Sequence, residues 1–203
     1  MSVQKEVNND PAKPLGELAD EELIALFQNN TESAFGVLVS RYKDPLTNFV
    51  FRMLGDRDEC EDIVQETFVR VYRNKHAYRP IARFSTWIYT IASNLAKTQM
   101  RRRRLRSAFG LRSDECVDGS YTEIPDESTS PDRLTDSALT AERIQRALMA
   151  IPAKYREVVV LRDIQEMQYE EIAEVTGMNI GTVKSRINRG RTMLQSLLKD
   201  VME

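Results

Sequence analysis

Apolar residues recur at every third or fourth position along most of this chain of 203 residues, the spacing that places them on one face of an α-helix. The segment from residue 61 to residue 74 is typical, with an apolar stripe formed by Val64, Phe68, Val71 and Tyr72. Glycine and proline are few, 8 and 7 residues respectively, which leaves little room for the many turns of a β fold. The pattern therefore predicts an all-α protein.

Side chains that can cap helices mark several of the predicted helix starts. They are Asp20, Thr31, Ser85 and Asn179. Pro45 is predicted to interrupt the second helix, because proline lacks the backbone N–H of a helix interior, and a continuation is expected up to Leu54. Residues 75–83 contain Pro80 and are expected to form a loop between two helices.

The composition changes after Arg106. Between residues 105 and 135 the chain contains three arginines and seven acidic residues, a net charge of −4, and it is rich in Ser, Gly and Pro. Few apolar residues are available there for burial, so we expect a flexible acidic linker. The predicted organisation is two small helical domains joined by this linker: a flexible tail (1–16), a first domain (17–106), the linker (107–135) and a second domain (136–203).

The segment YEEIAEVTGMNIGTVKSRINRGRTML, residues 169–194, has the features of a helix-turn-helix. Ala173 permits close helix crossing, Gly177 suits a tight turn, and the acidic residues before the turn give way to basic residues after it. A basic second helix can enter the major groove of DNA. The residues expected at this interface are Thr182, Lys184, Ser185, Arg186, Arg189 and Arg191. An ordinary helical hairpin with a solvated basic face is the alternative.

The segment FSTWIYTIASNLAKTQMRRRR, residues 84–104, has two unlike faces. Its core stripe is predicted to consist of Phe84, Trp87, Ile88, Ile91 and Leu95. The opposite face has hydrogen-bonding groups and positive charge but no acidic residue, and it consists of Thr90, Asn94, Lys97, Thr98 and Arg101. Such a face suits DNA, with phosphates bound by Lys97 and a base edge reached by Asn94, although an ordinary solvated face is the alternative. Of the four consecutive arginines, two are expected to reach phosphates and the others to be solvated.

Two neighbouring segments provide further candidate residues. The loop before residue 84 carries Tyr78, Arg79 and Arg83, whose ring and guanidinium groups can stack on an unpaired base. The helix predicted over residues 61–74 projects three polar side chains away from its apolar stripe, namely Asp62, Gln65 and Glu66. Because this acidic, amide-bearing surface repels DNA, it is either solvated or bound to a basic surface of a protein.

The composition argues against several functions. One histidine and two cysteines, Cys60 and Cys116, are too few for a zinc site of His and Cys ligands, and the two cysteines do not indicate a disulfide framework. No phosphate-binding loop, catalytic triad or metal-ligand spacing is found, so we expect no cofactor and no enzymatic activity. The sequence has neither an apolar run of roughly 18 residues, as a membrane span requires, nor the apolar core of a secretion signal. A cytoplasmic protein without membrane insertion is therefore expected.

The order of these motifs is informative in itself. EDIVQETFVRVYRN, then the segment 84–104, an acidic linker and YREVVVLRDIQEMQYEEIAEVTGMNIGTVKSRINRGR together resemble the extracytoplasmic-function (ECF) group of bacterial sigma-70 family sigma factors. The resemblance covers about residues 20–106 and 136–200. It implies a subunit that joins core RNA polymerase and directs it to promoters. The partners it implies are core polymerase (the β′ clamp helices and β), promoter DNA and an anti-sigma factor.

The resemblance also implies roles for the candidate residues. Asp62, Gln65 and Glu66 match the surface that binds the β′ clamp helices, and the helix face with Asn94 matches, with the loop 77–84, the elements that read and melt the −10 region. The basic helix of the helix-turn-helix matches the reader of the −35 element, and the linker matches a segment that passes through the active-site and RNA-exit channel. Two other classes are kept as alternatives. One is a stand-alone helix-turn-helix regulator with a sensing or dimerising N-terminal domain, and the other is a DNA-processing enzyme, which the lack of a catalytic set disfavours.

Overall fold

The computed structural model describes residues 13–108 and 131–199, with side chains from residue 139 onward in the second range. These two ranges contain eight α-helices and no strand, which confirms the predicted all-α class. Most of the predicted tail and of the predicted acidic linker lies outside the described residues. We refer to residues 13–108 as the N-terminal unit and to residues 131–199 as the C-terminal unit.

The N-terminal unit consists of four helices around one apolar core. They are α1 (Asp20–Gln28), α2 (Glu32–Leu54), α3 (Arg57–Arg73) and α4 (Phe84–Ala108), and a short 3-10 turn (Leu15–Glu17) precedes them. The long helix α2 packs against the other three, and the core between them is closed by fully buried aromatic and aliphatic side chains such as Leu38, Phe49, Phe84 and Ile88. Burial of these side chains supplies the main driving force for folding.

The observed helices differ from the expectations at three residues, Pro45, Asp20 and Ser85. Pro45 lies inside α2, which is continuous from Glu32 to Leu54, so the predicted interruption was wrong. Asp20 is the first residue of α1, and its carboxylate accepts hydrogen bonds from Arg41, at 2.6 Å, and from Tyr42 of α2.

The start of α4 is capped from a distant part of the chain. The helix begins at Phe84, and the backbone N–H of Phe84 donates to the Glu21 carboxylate of α1 at 3.1 Å. Ser85, the predicted cap, is the second residue of the helix. A carboxylate at this position accepts a hydrogen bond from a free N–H group, and its negative charge interacts favourably with the positive end of the helix dipole.

The C-terminal unit contains the predicted helix-turn-helix. Its elements are α5 (Pro131–Ala150), α6 (Ala153–Val159), a π-helical turn (Val160–Ile164), α7 (Tyr169–Thr176) and α8 (Ile180–Leu198). Gly177 ends α7 with a left-handed φ of 68°, a conformation that favours glycine. Asn179 caps α8 as predicted, because its side-chain oxygen accepts the N–H of Thr182 at 2.8 Å.

The two units pack against each other. Helix α7 lies on α4, α5 lies on α2, and side chains of both units belong to one continuous apolar core. Arg156 of α6 is buried between them, and its guanidinium donates to the carbonyl oxygens of Met53 in the N-terminal unit and of Met149 and Ile151 in its own unit. This contact between the units was not predicted from the sequence.

The thiol of Cys60 is expected to be unreactive in the folded protein. It is 1% exposed on the buried side of α3, and burial raises its pKa to about 12, so the thiol is almost entirely protonated at pH 8. Alkylation by iodoacetamide, followed by mass spectrometry of the peptide containing Cys60, should be slow in buffer and fast in denaturant. Fast labelling of this peptide in the native protein would contradict the buried position.

Candidate DNA-binding and protein-binding surfaces

Helix α3 presents the acidic face predicted from its sequence, which consists of Asp62, Gln65 and Glu66. The Asp62 and Gln65 side chains are exposed, and Glu66 forms a surface ion pair with Arg70 at 2.8 Å, one helical turn further on. The capping of the helix start by Asp56, which accepts the N–H of Glu59 at 3.1 Å, fixes the register of this face. The face is therefore available to a partner protein.

Two exposed apolar side chains extend the acidic face and were not predicted as part of it. Val69 is 38% exposed, and Tyr72 is 47% exposed although its ring also contacts Phe27 and Phe35. The sequence placed Tyr72 in the core stripe of the helix. Val69 follows Glu66 by three residues, and this spacing on one helix face is the only signal that could have identified it. A polar surface with an apolar edge is typical of protein interfaces.

The loop between α3 and α4 places only part of its predicted residues in solvent. Tyr78 is 4% exposed, its ring packs against Phe84 and Trp87, and its hydroxyl donates to the carbonyl of Ala82 at 2.9 Å. Burial raises its pKa. In this structure the Tyr78 ring therefore supports the loop from inside and is not exposed for the predicted stacking on a base.

The outer side of the same loop is exposed and basic. Arg79 and Ile81 point into solvent, with Ile81 93% exposed, and Arg83 reaches across to Glu171 of α7 at 3.1 Å. Gln28 donates to the carbonyls of Lys75 and Tyr78 and holds the base of the loop. The loop thus offers arginine and isoleucine side chains on a fixed backbone.

The predicted polar face of α4, which consists of Thr90, Asn94, Lys97, Thr98 and Arg101, is only partly free. Asn94 and Arg101 are exposed, and Arg101 lies 3.3 Å from the hydroxyl of Thr98. The hydroxyls of Thr90 and Thr98 donate to backbone carbonyls one turn earlier, those of Thr86 and Asn94. Lys97 is ion-paired with Glu157 of the C-terminal unit at 3.0 Å.

The buried stripe of α4 is shifted relative to the prediction. Phe84 and Ile88 are buried as expected, but Trp87, Ile91 and Leu95 are only partly buried. Tyr89, Ala92, Ser93 and Ala96 are buried in addition, because α4 is also covered by helices of the C-terminal unit. Small residues on this side permit the close approach of a second helix.

The four consecutive arginines at the end of α4 have different roles. Arg103 donates to the carbonyl of Leu54 at 3.1 Å and to Asp56 at 2.9 Å, and it lies 2.8 Å from Glu59. Arg103 therefore connects the end of α2 to the start of α3. The sequence had predicted that the arginines not bound to phosphate are solvated. Arg101, Arg102 and Arg104 are exposed and can bind phosphates.

Helix α8 of the helix-turn-helix exposes a polar face opposite its buried residues. Val183, Ile187 and Gly190 face the core, while the side chains on the outer side are exposed, namely those of Lys184, Ser185, Asn188 and Arg189. The ammonium group of Lys184 lies 5.5 Å from the centre of the Tyr169 ring. Asn188, which was left out of the predicted set, lies within this face because it follows Lys184 by one helical turn.

Three of the residues predicted to bind the −35 element interact with, or face, other parts of the protein. Thr182 uses its backbone N–H in the cap of α8, and Arg191 forms an ion pair with Asp163 of the π-helical turn, with Nε at 3.0 Å from the carboxylate. This pair raises the pKa of Arg191. Arg186 is half-buried and faces a cleft of about 290 Å³ between the units, which Lys97, Lys154 and Glu157 also line.

The part of the chain that the structure describes shows neither a metal site nor a membrane-spanning helix. Within residues 13–108 and 131–199, no group of His, Cys, Asp and Glu side chains is arranged to hold a metal ion. Over the same ranges, none of the helices combines the length and apolar character needed to cross a membrane.

An acidic helix face, a separate basic helix face and a helix-turn-helix lie on one all-α scaffold, a combination typical of the class of transcription proteins that the sequence predicts. Comparison with protein families gives this class a name. Residues 38–106 match "Sigma-70 region 2" and residues 141–194 match "Sigma-70, region 4". The chain belongs to the sigma-70 family of RNA polymerase sigma factors, and within it to the ECF group.

Curated relatives extend this similarity over nearly the whole chain. The ECF RNA polymerase sigma factor SigW of Bacillus subtilis is 35% identical over 91% of this chain and all of its own length. The ECF RNA polymerase sigma-E factor of Haemophilus influenzae is 32% identical over 92% of this chain and 98% of its own. Both relatives are sigma factors, and this chain likewise directs promoter-specific transcription; the stand-alone regulator is not favoured.

Solved structures support the same fold. The sigma factor RpoE of Bartonella quintana, in complex with the anti-sigma factor NepR, is 28% identical, with a TM-score of 0.66 over 81% of this chain and 96% of that one. CnrH, in complex with the cytosolic domain of CnrY, is 25% identical, with a TM-score of 0.67 over 90% of this chain and 99% of that one. The predictions of family and fold class are thereby confirmed.

Proposed function

We propose that the acidic face of α3 binds the β′ clamp helices of core RNA polymerase. Asp62 and Gln65 are exposed, Glu66 is held by a single surface ion pair, and Val69 and Tyr72 supply apolar contact area at the edge. Carboxylates attract a basic partner over long distances, and the apolar edge adds affinity at short range. The exposed combination of charge and apolar area on one rigid helix is the observation that carries this proposal.

The −10 element is bound, in this proposal, by α4 and the loop before it. Asn94 can reach a base edge, while Lys97 and Arg101, on the same helix face, can bind phosphates. Arg79 and Arg83 on the loop can stack on an unpaired base. Opening the duplex costs a few kcal/mol per extruded base, and stacking and hydrogen bonds in such a site offset that cost.

The −35 element is bound by the outer face of α8. Lys184, Ser185, Asn188 and Arg189 are exposed on the side of the helix that faces away from the core. Each contact alone is weak and salt-dependent. A polymerase that holds both DNA-binding surfaces at a fixed spacing converts two weak contacts into one specific interaction.

The proposed function is tested by transcription in vitro. The protein is mixed with core polymerase free of other sigma factors, and genomic fragments of the source organism serve as templates. Defined new transcription start sites are expected only when both components are present. A protein that binds duplex DNA tightly by itself and yields no start sites would be a regulator of another kind.

Arg189→Ala should weaken binding of the holoenzyme to a promoter fragment containing the −35 element. The expected loss is about 1–3 kcal/mol if Arg189 contacts a base, and less if it contacts a phosphate. Lys199→Ala is the control, because it removes one positive charge from an exposed position at the far end of the same helix region. Footprinting should show a weaker −35 contact for Arg189→Ala alone, and equal footprints would refute the assigned face.

An anti-sigma factor is a further proposed partner, and the cytoplasm is the proposed location. One similar solved structure is a complex of the sigma factor RpoE with the anti-sigma factor NepR, and another is a complex of CnrH with the cytosolic domain of CnrY, which supports this expectation. Affinity purification of the tagged protein from its own organism should recover such a partner together with core polymerase. Full activity of the protein in cells with no such partner would contradict it.

A further inference from the structure

The cleft between the two units has walls of different chemistry. Its volume of about 290 Å³ is close to that of the smallest clefts that hold small-molecule ligands. Lys97 and Met100 of α4 line one side. The C-terminal unit supplies the other lining residues, which are Ala153, Lys154, Glu157, Thr176, Met178 and Arg186. The cleft therefore combines three cationic side chains and one carboxylate with an apolar surface.

The carboxylate of the cleft, that of Glu157, is already neutralised. Glu157 is 5% exposed, and one of its oxygens accepts hydrogen bonds from the Ser93 hydroxyl and from the Lys97 ammonium group, the latter at 3.0 Å. Removing one partner of a buried ion pair is costly, because the other charge is then left unpaired away from water. Glu157 and Lys97 therefore stay together and add no net charge to the cleft.

Lys154 and Arg186 give the cleft an excess of positive charge. Within residues 13–108 and 131–199, neither side chain forms an ion pair with a carboxylate. The ammonium group of Lys154 lies 4.9 Å from the centre of the Tyr155 ring, a contact that leaves its charge uncompensated. Arg186 is half-buried, so its charge is screened less than one on an open surface. Two such cations favour a ligand group with a charge near −2, and a phosphate monoester carries about −1.5 to −2 at pH 7.

The apolar part of the lining is formed largely by two methionines. Met100 of α4 and Met178 of the turn between α7 and α8 are half-buried, and both pack against the apolar core. A methionine side chain adapts its shape to a ligand, and its sulfur makes favourable contacts with aromatic rings. A ligand that carries both a phosphate group and an aromatic ring matches this combination of walls.

We propose that the cleft binds a small phosphate monoester of the nucleoside monophosphate class, with its phosphate on Arg186 and Lys154 and its base against Met100 and Met178. The guanidinium group of Arg186 can donate to two phosphate oxygens at once, which fixes the orientation of the ligand. The bound ligand contacts both units. The site is separate from the acidic face of α3 and from the outer face of α8.

The test measures binding of AMP to the free full-length protein by isothermal titration calorimetry, with inorganic phosphate and adenosine as separate probes. We expect saturable binding of one AMP per chain. Either partial probe should bind at least about 10-fold more weakly, because it lacks one of the two recognised groups. Neither DNA nor polymerase is present, so the result is independent of the proposed promoter contacts. Equal affinities for AMP and inorganic phosphate, or no saturable binding of AMP at millimolar concentrations, would overturn the proposal.

Two variants test the position of the phosphate. Arg186→Gln should weaken AMP binding at least about 10-fold, since it removes a charged hydrogen-bond donor. Lys154→Gln should weaken it about 3-fold, because Lys154 is exposed and its ion pairs are worth less. The exposed position of Lys154 also means that this variant should fold normally, so it keeps the test valid if Arg186→Gln is unstable.

Arg143→Gln is the matched control. It removes the same charge from an exposed position of α5 outside the cleft, so it should change the affinity for AMP less than 2-fold, about 0.4 kcal/mol. An equal loss of affinity for Arg143→Gln and Lys154→Gln would indicate a general effect of charge and overturn the assigned site.

Discussion

Replacing Asp62 and Glu66 by lysine is expected to abolish binding of the protein to core RNA polymerase. The double variant turns an acidic face into a basic one, so attraction to a basic partner becomes repulsion. We expect a loss of about 3 kcal/mol or more, at least a hundredfold in affinity. Surface plasmon resonance with immobilised core enzyme measures the effect.

The helix itself should tolerate this change. Both positions face solvent, lysine is a good helix former, and the lost ion pair between Glu66 and Arg70 contributes at most a few tenths of a kcal/mol. Circular dichroism should therefore be unchanged. Glu17→Lys combined with Asp44→Lys alters the net charge equally at exposed positions away from α3 and should retain binding. Wild-type affinity of the Asp62/Glu66 variant would assign core binding to a different surface.

Gly190→Ala is expected to destabilise the C-terminal unit, although alanine favours helix more than glycine does. Helix α8 crosses α6 at Gly190, where an added Cβ would lie 2.6 Å from a methyl group of Val159 and 3.3 Å from the carbonyl oxygen of Tyr155. The methyl belongs to a short β-branched side chain, which has little freedom to move away. Forcing one carbon into such a contact typically costs about 1–3 kcal/mol.

A second glycine provides the matched control. Gly36 lies inside α2, is exposed, and has no neighbour within 4 Å of the position where a Cβ would be. Gly36→Ala should therefore stabilise the protein by roughly 0.5–1 kcal/mol through helix propensity alone. Urea unfolding followed by circular dichroism should give opposite shifts of the midpoint for the two variants. Equal shifts in the same direction would show that α8 and α6 do not cross closely at Gly190.

Much of the candidate site could be predicted because its signals are local. The acidic face of α3 and the outer face of α8 follow from the periodicity of one helix each. Asn179 caps α8 through a contact only three residues away, and Gly177 meets the backbone requirement of the turn. Interactions over three or four residues are determined by helix geometry, so the sequence pattern is sufficient to identify them.

Other residues were assigned differently because their partners are distant in the sequence. Tyr78 lies in the core, where its ring meets Phe84 and Trp87, although its neighbours in the chain are exposed and basic. Arg103 looks like one of four equal arginines, but the corner between α2 and α3 provides its acceptors. Nothing in the local pattern distinguishes a cation that meets a carboxylate from one that meets water.

The sequence by itself determined the helices, the helix-turn-helix, the family and the faces that carry charge, since each depends on residue type at a fixed helical spacing. Only the tertiary structure decided which cations are free. It pairs Lys97 with Glu157 and Arg191 with Asp163, and it leaves Arg102 and Arg104 exposed. The physical reason is that periodicity specifies which side of a helix is buried, whereas the partner of a polar side chain depends on which distant helix packs beside it.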